Sequence, residues 1–245
     1  MRIKEDVRYG GLENDFLDIY YPECDEYDVL IWFHGGGLES GTRKSWKFVE
    51  DLVKQGMAVV SVEYRLYPEA VFPDFITDCA RAVKYVFEYV ATESGVKRVF
   101  VSGESAGAYI TMMLAMDKSY LENVGVDQNK ISGFISDSAQ MTVHYNVLRE
   151  RGLDTRLERI DEAAPLYHVS AHSFTGKLFL IYYTNDILCR PEQNRLFYQC
   201  VKRLCPGADV RIKELPGGHC NGGINRNERG TFDYIDVLLE FIQSI

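Results

Sequence analysis

No run in the 245-residue chain approaches the ~18 uninterrupted apolar residues that a membrane-spanning helix requires. The opening MRIKEDVRYGG holds no apolar core of signal-peptide length, so the expectation is a cytoplasmic protein. Excess positive charge is missing too. With 27 Lys and Arg against 36 Asp and Glu, net -9, there is no electrostatic footprint for nucleic acid or an anionic membrane surface. The six cysteines (Cys24, Cys79, Cys189, Cys200, Cys205 and Cys220) form no C-x-x-C and pair with no histidine at zinc spacing. They read as reduced thiols, and Cys200 and Cys205, five apart on a predicted helix, point to different faces. A dinucleotide fingerprint is also absent, so neither cofactor nor metal is expected. Repeats and low-complexity linkers are lacking.

What is present is a composition able to bury a sizeable core: 46% hydrophobic residues, with 16 Tyr and 13 Phe. Open α/β domains often reach this length undivided, so residues 1–245 are read as one domain. Strand-like and helix-like segments alternate, which predicts an α/β fold with a mostly parallel central sheet and helices on both faces. Strands are expected at 3–8, 15–20, 27–33, 57–64, 97–102, 131–136, 177–183 and 208–214. Helices are expected at 45–55, 76–90, after residue 105, at 191–204 and around 229–243. Residues 139–173 break the alternation. Too long for an ordinary connection and densely charged, they read as a surface insertion that could serve as a lid or cap.

One short stretch concentrates the chemistry. In VFVSGESAGAYITMML, a β-branched and aromatic run meets a helix-like run at Gly103-Glu104-Ser105-Ala106-Gly107. G-x-S-x-G at a strand-to-helix turn is a nucleophile elbow, although the pentapeptide alone equally describes an ordinary Gly/Ser turn. In an open α/β sheet the ligand crevice lies beyond the carboxyl ends of the strands. Three other stretches fall there: His34-Gly35-Gly36-Gly37, Thr184-Asn185-Asp186 and Pro216-Gly217-Gly218-His219. With Ser105 they give the chain order Ser, Asp, His. Of the five histidines, His34 belongs to the glycine loop, His144 to the insertion, and His168 and His172 precede a strand, leaving His219 after the last strand. Asp137, following the strand at 131–136, competes with Asp186 as the acid, while Asp154, Asp161 and Asp209 read as solvated charges.

On these residues the chain resembles an α/β-hydrolase of the carboxylesterase kind, related to the hormone-sensitive-lipase group. The matching text is HGGG at 34–37, VEYRLYPE at 62–69, FP at 72–73, GESAG at 103–107, Asp186 and His219, spread over roughly residues 27–243. The resemblance implies Ser105 as nucleophile, His219 as base and Asp186 as orienting acid. It also implies an oxyanion hole of backbone N–H groups from Gly36, Gly37 and Ala106, with His34 bracing its loop. Ala108 and Cys220 depart from the group's usual text, and only about thirty residues precede HGGG, so a cap, if there is one, must come from 139–173. Small esterases acting on sugar esters, and arylformamidases, share that compactness.

The expected activity is therefore that of a serine carboxylesterase acting on a small-molecule ester, with a short acyl chain or a sugar-linked or aryl group, through an acyl-enzyme. A serine hydroxyl needs an adjacent base, and an imidazole, titrating near pH ~6.5 in water, can take and return its proton. A carboxylate fixes the tautomer, and preorganised donors meet the developing oxyanion. Amide cleavage, by an arylformamidase or small peptidase, passes through the same tetrahedral state, and the fold also hosts non-catalytic small-molecule receptors. The insertion's arginines (Arg149, Arg151, Arg156, Arg159) interleave with carboxylates and read as a self-neutralised face. A homodimer is left open.

Overall fold

Residues Tyr27–Phe33 (β3) and Met57–Val62 (β4) are apolar at nearly every position, the signature of strands covered on both faces, and both lie buried. The computed structural model describes residues 1–44, 48–170, 174–223, 226–228 and 230–245. Around β3 and β4 it builds an eight-stranded sheet in the order β1-β2-β4-β3-β5-β6-β7-β8, with β1 Arg2–Arg8, β2 Phe16–Tyr21, β5 Val96–Glu104, β6 Gly133–Asp137, β7 Lys177–Asn185 and β8 Asp209–Gly218. The pairs β1/β2 and β2/β4 are antiparallel, and the rest are parallel. The charged, exposed β1 forms one edge, as suits a strand that must not recruit another.

Alternate side chains of the central strands feed two cores. Val29, Ile31, Phe33, Val60 and Val101 pack with α2 (Asp74–Tyr85), α3 (Ala106–Met116) and α6 (Arg190–Leu204). Leu30, Trp32, Val59, Phe100 and Ile135 pack on the other face with α1 (Val49–Lys54) and α7 (Asp233–Gln243). The strand order reverses at β3, which lies between β4 and β5, so the crevice at the carboxyl ends of β3 and β5 is the topological switch point. Phe33 is paired with Gly103 there, which sets the loop after β3 beside the turn after β5.

Most expected elements form, with shifts at their ends. The helix expected at 45–55 is α1, and residues 45–47 lie outside the described residues, as does residue 229 of the closing helix. The helix expected at 76–90 is α2 followed by a π turn over Val86–Val90. β8 runs four residues beyond the expected end, through Pro216; as an edge strand it tolerates the missing donor. Two short helices, α4 (Ser119–Asn123) and α5 (Tyr145–Glu150), carry too few residues to show a period.

The expected insertion has two characters. Residues 139–144 and 146–148 are buried, and Met141, Val143, Val147 and Leu148 join the main core. Residues 152–160 are mostly exposed, and in that half Arg156 pairs with Asp154 and Arg159 with Asp161. Among the described residues no helix is long and apolar enough to cross a membrane.

Asp78 ties α2 to the sheet. Fully buried, it accepts from Arg65 N (3.1 Å), Nε (2.8 Å) and Nη2 (2.8 Å), and from Arg81 Nη2 (2.9 Å), which also reaches Asp15 at 2.9 Å. Breaking a buried ion pair costs about 3–5 kcal/mol, and the part-exposed arginines can rehydrate, so Asp78→Ala is expected to lose about 2–3 kcal/mol. Urea unfolding measures it; a loss under about 0.5 kcal/mol, the size of an ordinary surface change, would contradict the role.

Candidate active site

The turn after β5 is built by what its glycines omit. A Cβ on Gly103 would fall 2.4 Å from the Gly107 carbonyl carbon, and one on Gly107 would fall 2.1 Å from Phe33 O and 2.6 Å from His34 O. Between them Ser105 takes φ 51°, ψ -111°, a conformation L residues rarely adopt, and its N–H donates to Asp137 O at 2.8 Å. Ala106 then starts α3, which is buried along its whole length. The serine is thereby presented on a sharp, fixed elbow.

Three side chains converge. Ser105 Oγ lies 2.8 Å from His219 Nε2, and His219 Nδ1 lies 2.5 Å from Asp186 Oδ1. An ionised carboxylate only accepts, so Nδ1 carries the imidazole proton and Nε2 is left to accept from serine. The Asp186 side chain is wholly buried, whereas His219 keeps a quarter of its surface exposed. Burial pushes the Asp186 carboxyl up, but His219, the Ser138 hydroxyl (2.8 Å) and the Ile187 N–H (2.7 Å) outweigh it and hold the group below the usual carboxylate range.

Asp137, the sequence rival, has the opposite environment. Burial and the Glu104 charge raise its pKa well above that range, and its nearest donors are Tyr183 Oη and Ser138 Oγ, each at 3.4 Å, rather than His219. The remaining candidates lie elsewhere: His144 caps α5, His168 Nε2 lies 2.9 Å from Glu162 O, and Asp209 pairs with Arg211. His172 lies outside the described residues. Glu104, Asp137 and Cys220 bring ligand atoms within 4.8 Å of one another. Burial pushes both the Asp137 carboxyl and the Cys220 thiol up, which disfavours the ionised forms that a cation would bind.

Above the elbow runs the glycine loop. His34 is buried and stacks on Tyr64 (4.3 Å between centroids, 12°), whose hydroxyl donates to His34 O at 2.7 Å; His34 Nδ1 lies 2.7 Å from Gly35 O. Two carbonyls of the loop are paired within the protein. Gly36 O accepts from Ser40 N (3.0 Å) and Oγ (2.9 Å), and Gly37 O accepts from Asn146 Nδ2 (2.8 Å). The N–H groups of Gly36, Gly37 and Ala106 donate to no described residue.

Sequence reasoning did not single out Ser138, Arg190 or Asn146. Ser138 sits at φ 60°, bonds the Asp186 carboxylate, and is held by Arg190 Nη1 donating to its carbonyl at 2.5 Å. Asn146 acts on the loop from 109 residues away. A polar residue directly after the end of a strand was the only available signal for Ser138, and none existed for the other two.

A mostly parallel sheet with a serine on the elbow after β5, and an acid and a histidine after β7 and β8, is an α/β-hydrolase fold. Solved structures agree on the fold: a truncated carbohydrate esterase from gut microbiota (TM-score 0.79, 18% identity, covering 100% of this chain and 96% of that one) and esterase B from Lactobacillus rhamnosis HN001 (TM-score 0.77, 18%, 99% and 84%). The family model described as BD-FAE matches residues 17–148, and the chain belongs to that family. It is similar to tuliposide A-converting enzyme 2 of Tulipa gesneriana (26% identity; 78% of this chain, 56% of that protein), to carboxylesterase NlhH of Mycobacterium tuberculosis (36%; 47% and 38%) and to kynurenine formamidase of Danio rerio (32%; 44% and 37%). The matches thus span from 37% to 56% of these curated relatives.

Two predictions follow from this geometry. Gly107→Ala should lose at least ~1–3 kcal/mol, since the atom in its way is backbone, whereas Gly11→Ala, with nothing within 4 Å, should lose almost none; equal unfolding midpoints for the two variants would contradict the close-approach account. Because the folded pKa of Asp186 is depressed, its ionisation stabilises the fold above the unfolded value near ~3.9 and that contribution is lost as pH falls through the folded value. The stability advantage of wild type over Asp186→Asn should therefore shrink below about pH 4 in urea titrations, and an advantage that grows there would reverse the sign.

Proposed function

We propose that the chain is a serine carboxylesterase that cleaves a small carboxylic ester through a covalent acyl-enzyme. The single observation that carries this reading is the continuous path from Ser105 Oγ through His219 to an ionised, buried Asp186, at 2.8 Å and 2.5 Å. In the proposed cycle His219 Nε2 takes the Ser105 proton as Oγ adds to the ester carbonyl carbon. The carbonyl oxygen becomes an oxyanion facing the N–H groups of Gly36, Gly37 and Ala106. His219 gives its proton to the departing alcohol, and the same steps run with water release the acid and restore the serine. Asp186 holds the imidazole tautomer and stabilises the imidazolium without itself taking the proton. His34 acts as the brace of the oxyanion loop, and within the insertion expected at 139–173 the described residues 139–170 form one wall of the site and its cap; residues 171–173 lie outside the described residues.

Support comes from relatives named as carboxylesterases and from neighbours solved as esterases. A short acyl chain with a sugar-linked or aryl alcohol is the substrate class we favour, in keeping with the carbohydrate esterase neighbour. Six free cysteines favour a reducing compartment, the cytoplasm. Amide hydrolysis is the second reading, favoured by the similarity to kynurenine formamidase.

Hydrolysis of p-nitrophenyl esters from acetate to decanoate tests the proposal, with Ser105→Ala as control. Turnover is expected to fade as the acyl chain lengthens and to fall roughly 10³-fold or more in the variant. A variant that keeps its rate refutes the nucleophile. N-formyl anilides turned over faster than every ester would transfer the assignment to amide cleavage.

A further inference from the structure

Tyr145, the first residue of α5, reaches the glycine loop with its hydroxyl. A Cβ built on Gly37 would fall 1.7 Å from Tyr145 Oη and 2.9 Å from Cζ, so the phenol occupies the space in which any other residue at 37 would begin its side chain. Gly37 also has φ +66°, and the glycine is thus required twice, by its backbone and by this hydroxyl. The approach is fixed rather than casual. Asn146 Nδ2 bonds Gly37 O at 2.8 Å, the His144 side chain accepts from Asn146 N at 3.2 Å, and the His144 ring lies 4.5 Å from that of Tyr145. Tyr145 N donates to Gln140 Oε1 at 3.3 Å, and Arg149 on the same helix pairs with Glu39 of the loop. Yet Tyr145 Oη itself bonds to no described residue.

A half-buried hydroxyl held against the backbone of the glycine loop, with no acceptor among the described residues, has its proton available to a group entering the crevice. We propose that Tyr145 is a further oxyanion donor, its O–H bonding the substrate carbonyl oxygen beside the Gly37 N–H as negative charge develops there. The assignment rests on the esterase reading above. Burial and the Glu39 carboxylate hold the phenol above its usual range, so it keeps its proton at neutral pH. A side-chain donor of this kind strengthens as charge builds, and its contribution belongs to kcat more than to KM.

Phosphonylation of Ser105 by a fluorophosphonate places an anionic oxygen in the same position and needs no knowledge of the natural substrate. Its rate, with kcat and KM for p-nitrophenyl acetate, is measured for wild type and Tyr145→Phe, each normalised to the fraction of protein that labels. Tyr145→Phe keeps the ring and removes only the hydroxyl, and normalisation removes any misfolded fraction from the comparison. The expected result is a fall of about 10- to 100-fold in both kcat and phosphonylation rate, with KM within about twofold. Unchanged phosphonylation, or a loss confined to KM, overturns the assignment. Failure of wild type to label at Ser105 is a different result: it removes the esterase reading, and the donor role with it.

Discussion

The close approach of α3 to the end of β3 is the constraint on which the site depends. At Gly107 the helix comes so near the Phe33 and His34 carbonyls that a methyl group would overlap backbone, and Gly103 faces Gly107 across the same gap. That contact forces the chain to turn within one residue, and Ser105 absorbs the turn at φ 51°. Strain of this kind, worth roughly 1–3 kcal/mol, persists only where the surroundings over-determine it. Here they do. α3 is buried on every side, and β5 is clamped between β3 and β6, so neither end of the elbow can relax. The same contact sets the glycine loop above the serine, because His34 leaves β3 at the point where Gly107 passes beneath it.

Two carboxyl groups at the carboxyl ends of neighbouring strands show how one site pushes two acids in opposite directions. Asp186 collects an imidazole, a hydroxyl and a backbone N–H, and these overcome its burial. Asp137 finds only long contacts and faces the Glu104 charge, so burial prevails. Ser138 stands between them with its hydroxyl 2.8 Å from one and 3.4 Å from the other. The environments, rather than the residue type, separate a carboxyl held below its usual range from one pushed well above it.

Much of this was legible in the sequence because local patterns carried it. The fully apolar β3 and β4, the elbow, and the loops after β3, β7 and β8 all announce themselves within a few residues. Less legible was whatever depends on distant partners. Asp137 and Asp186 both follow strand patterns, and only the third dimension brings one of them to His219. Residues 139–148 looked like part of a charged surface insertion because the arginines and acids just after them dominate its composition, while Met141, Val143, Val147 and Leu148 belong to the core. Tyr145 and Asn146 stood out by no pattern at all, since their significance lies in touching Gly37.

That last contact changes what the segment after β6 is. A cap that merely covered a crevice would be free to move relative to the glycine loop. Here α5 is bonded to the loop through Gly37 O and paired with Glu39, while its apolar face enters the core through Val147 and Leu148. The glycine loop therefore inherits its position from two sources: the His34 and Tyr64 stack on one side and α5 on the other. Movement confined to the exposed residues 152–160 leaves both supports in place. Movement of α5 cannot, because it would break the Gly37 carbonyl bond and leave the Asn146 amide without its acceptor. The segment is thus divided by its bonding into an exposed part, residues 152–160, and a part tied at once to the core and to the glycine loop.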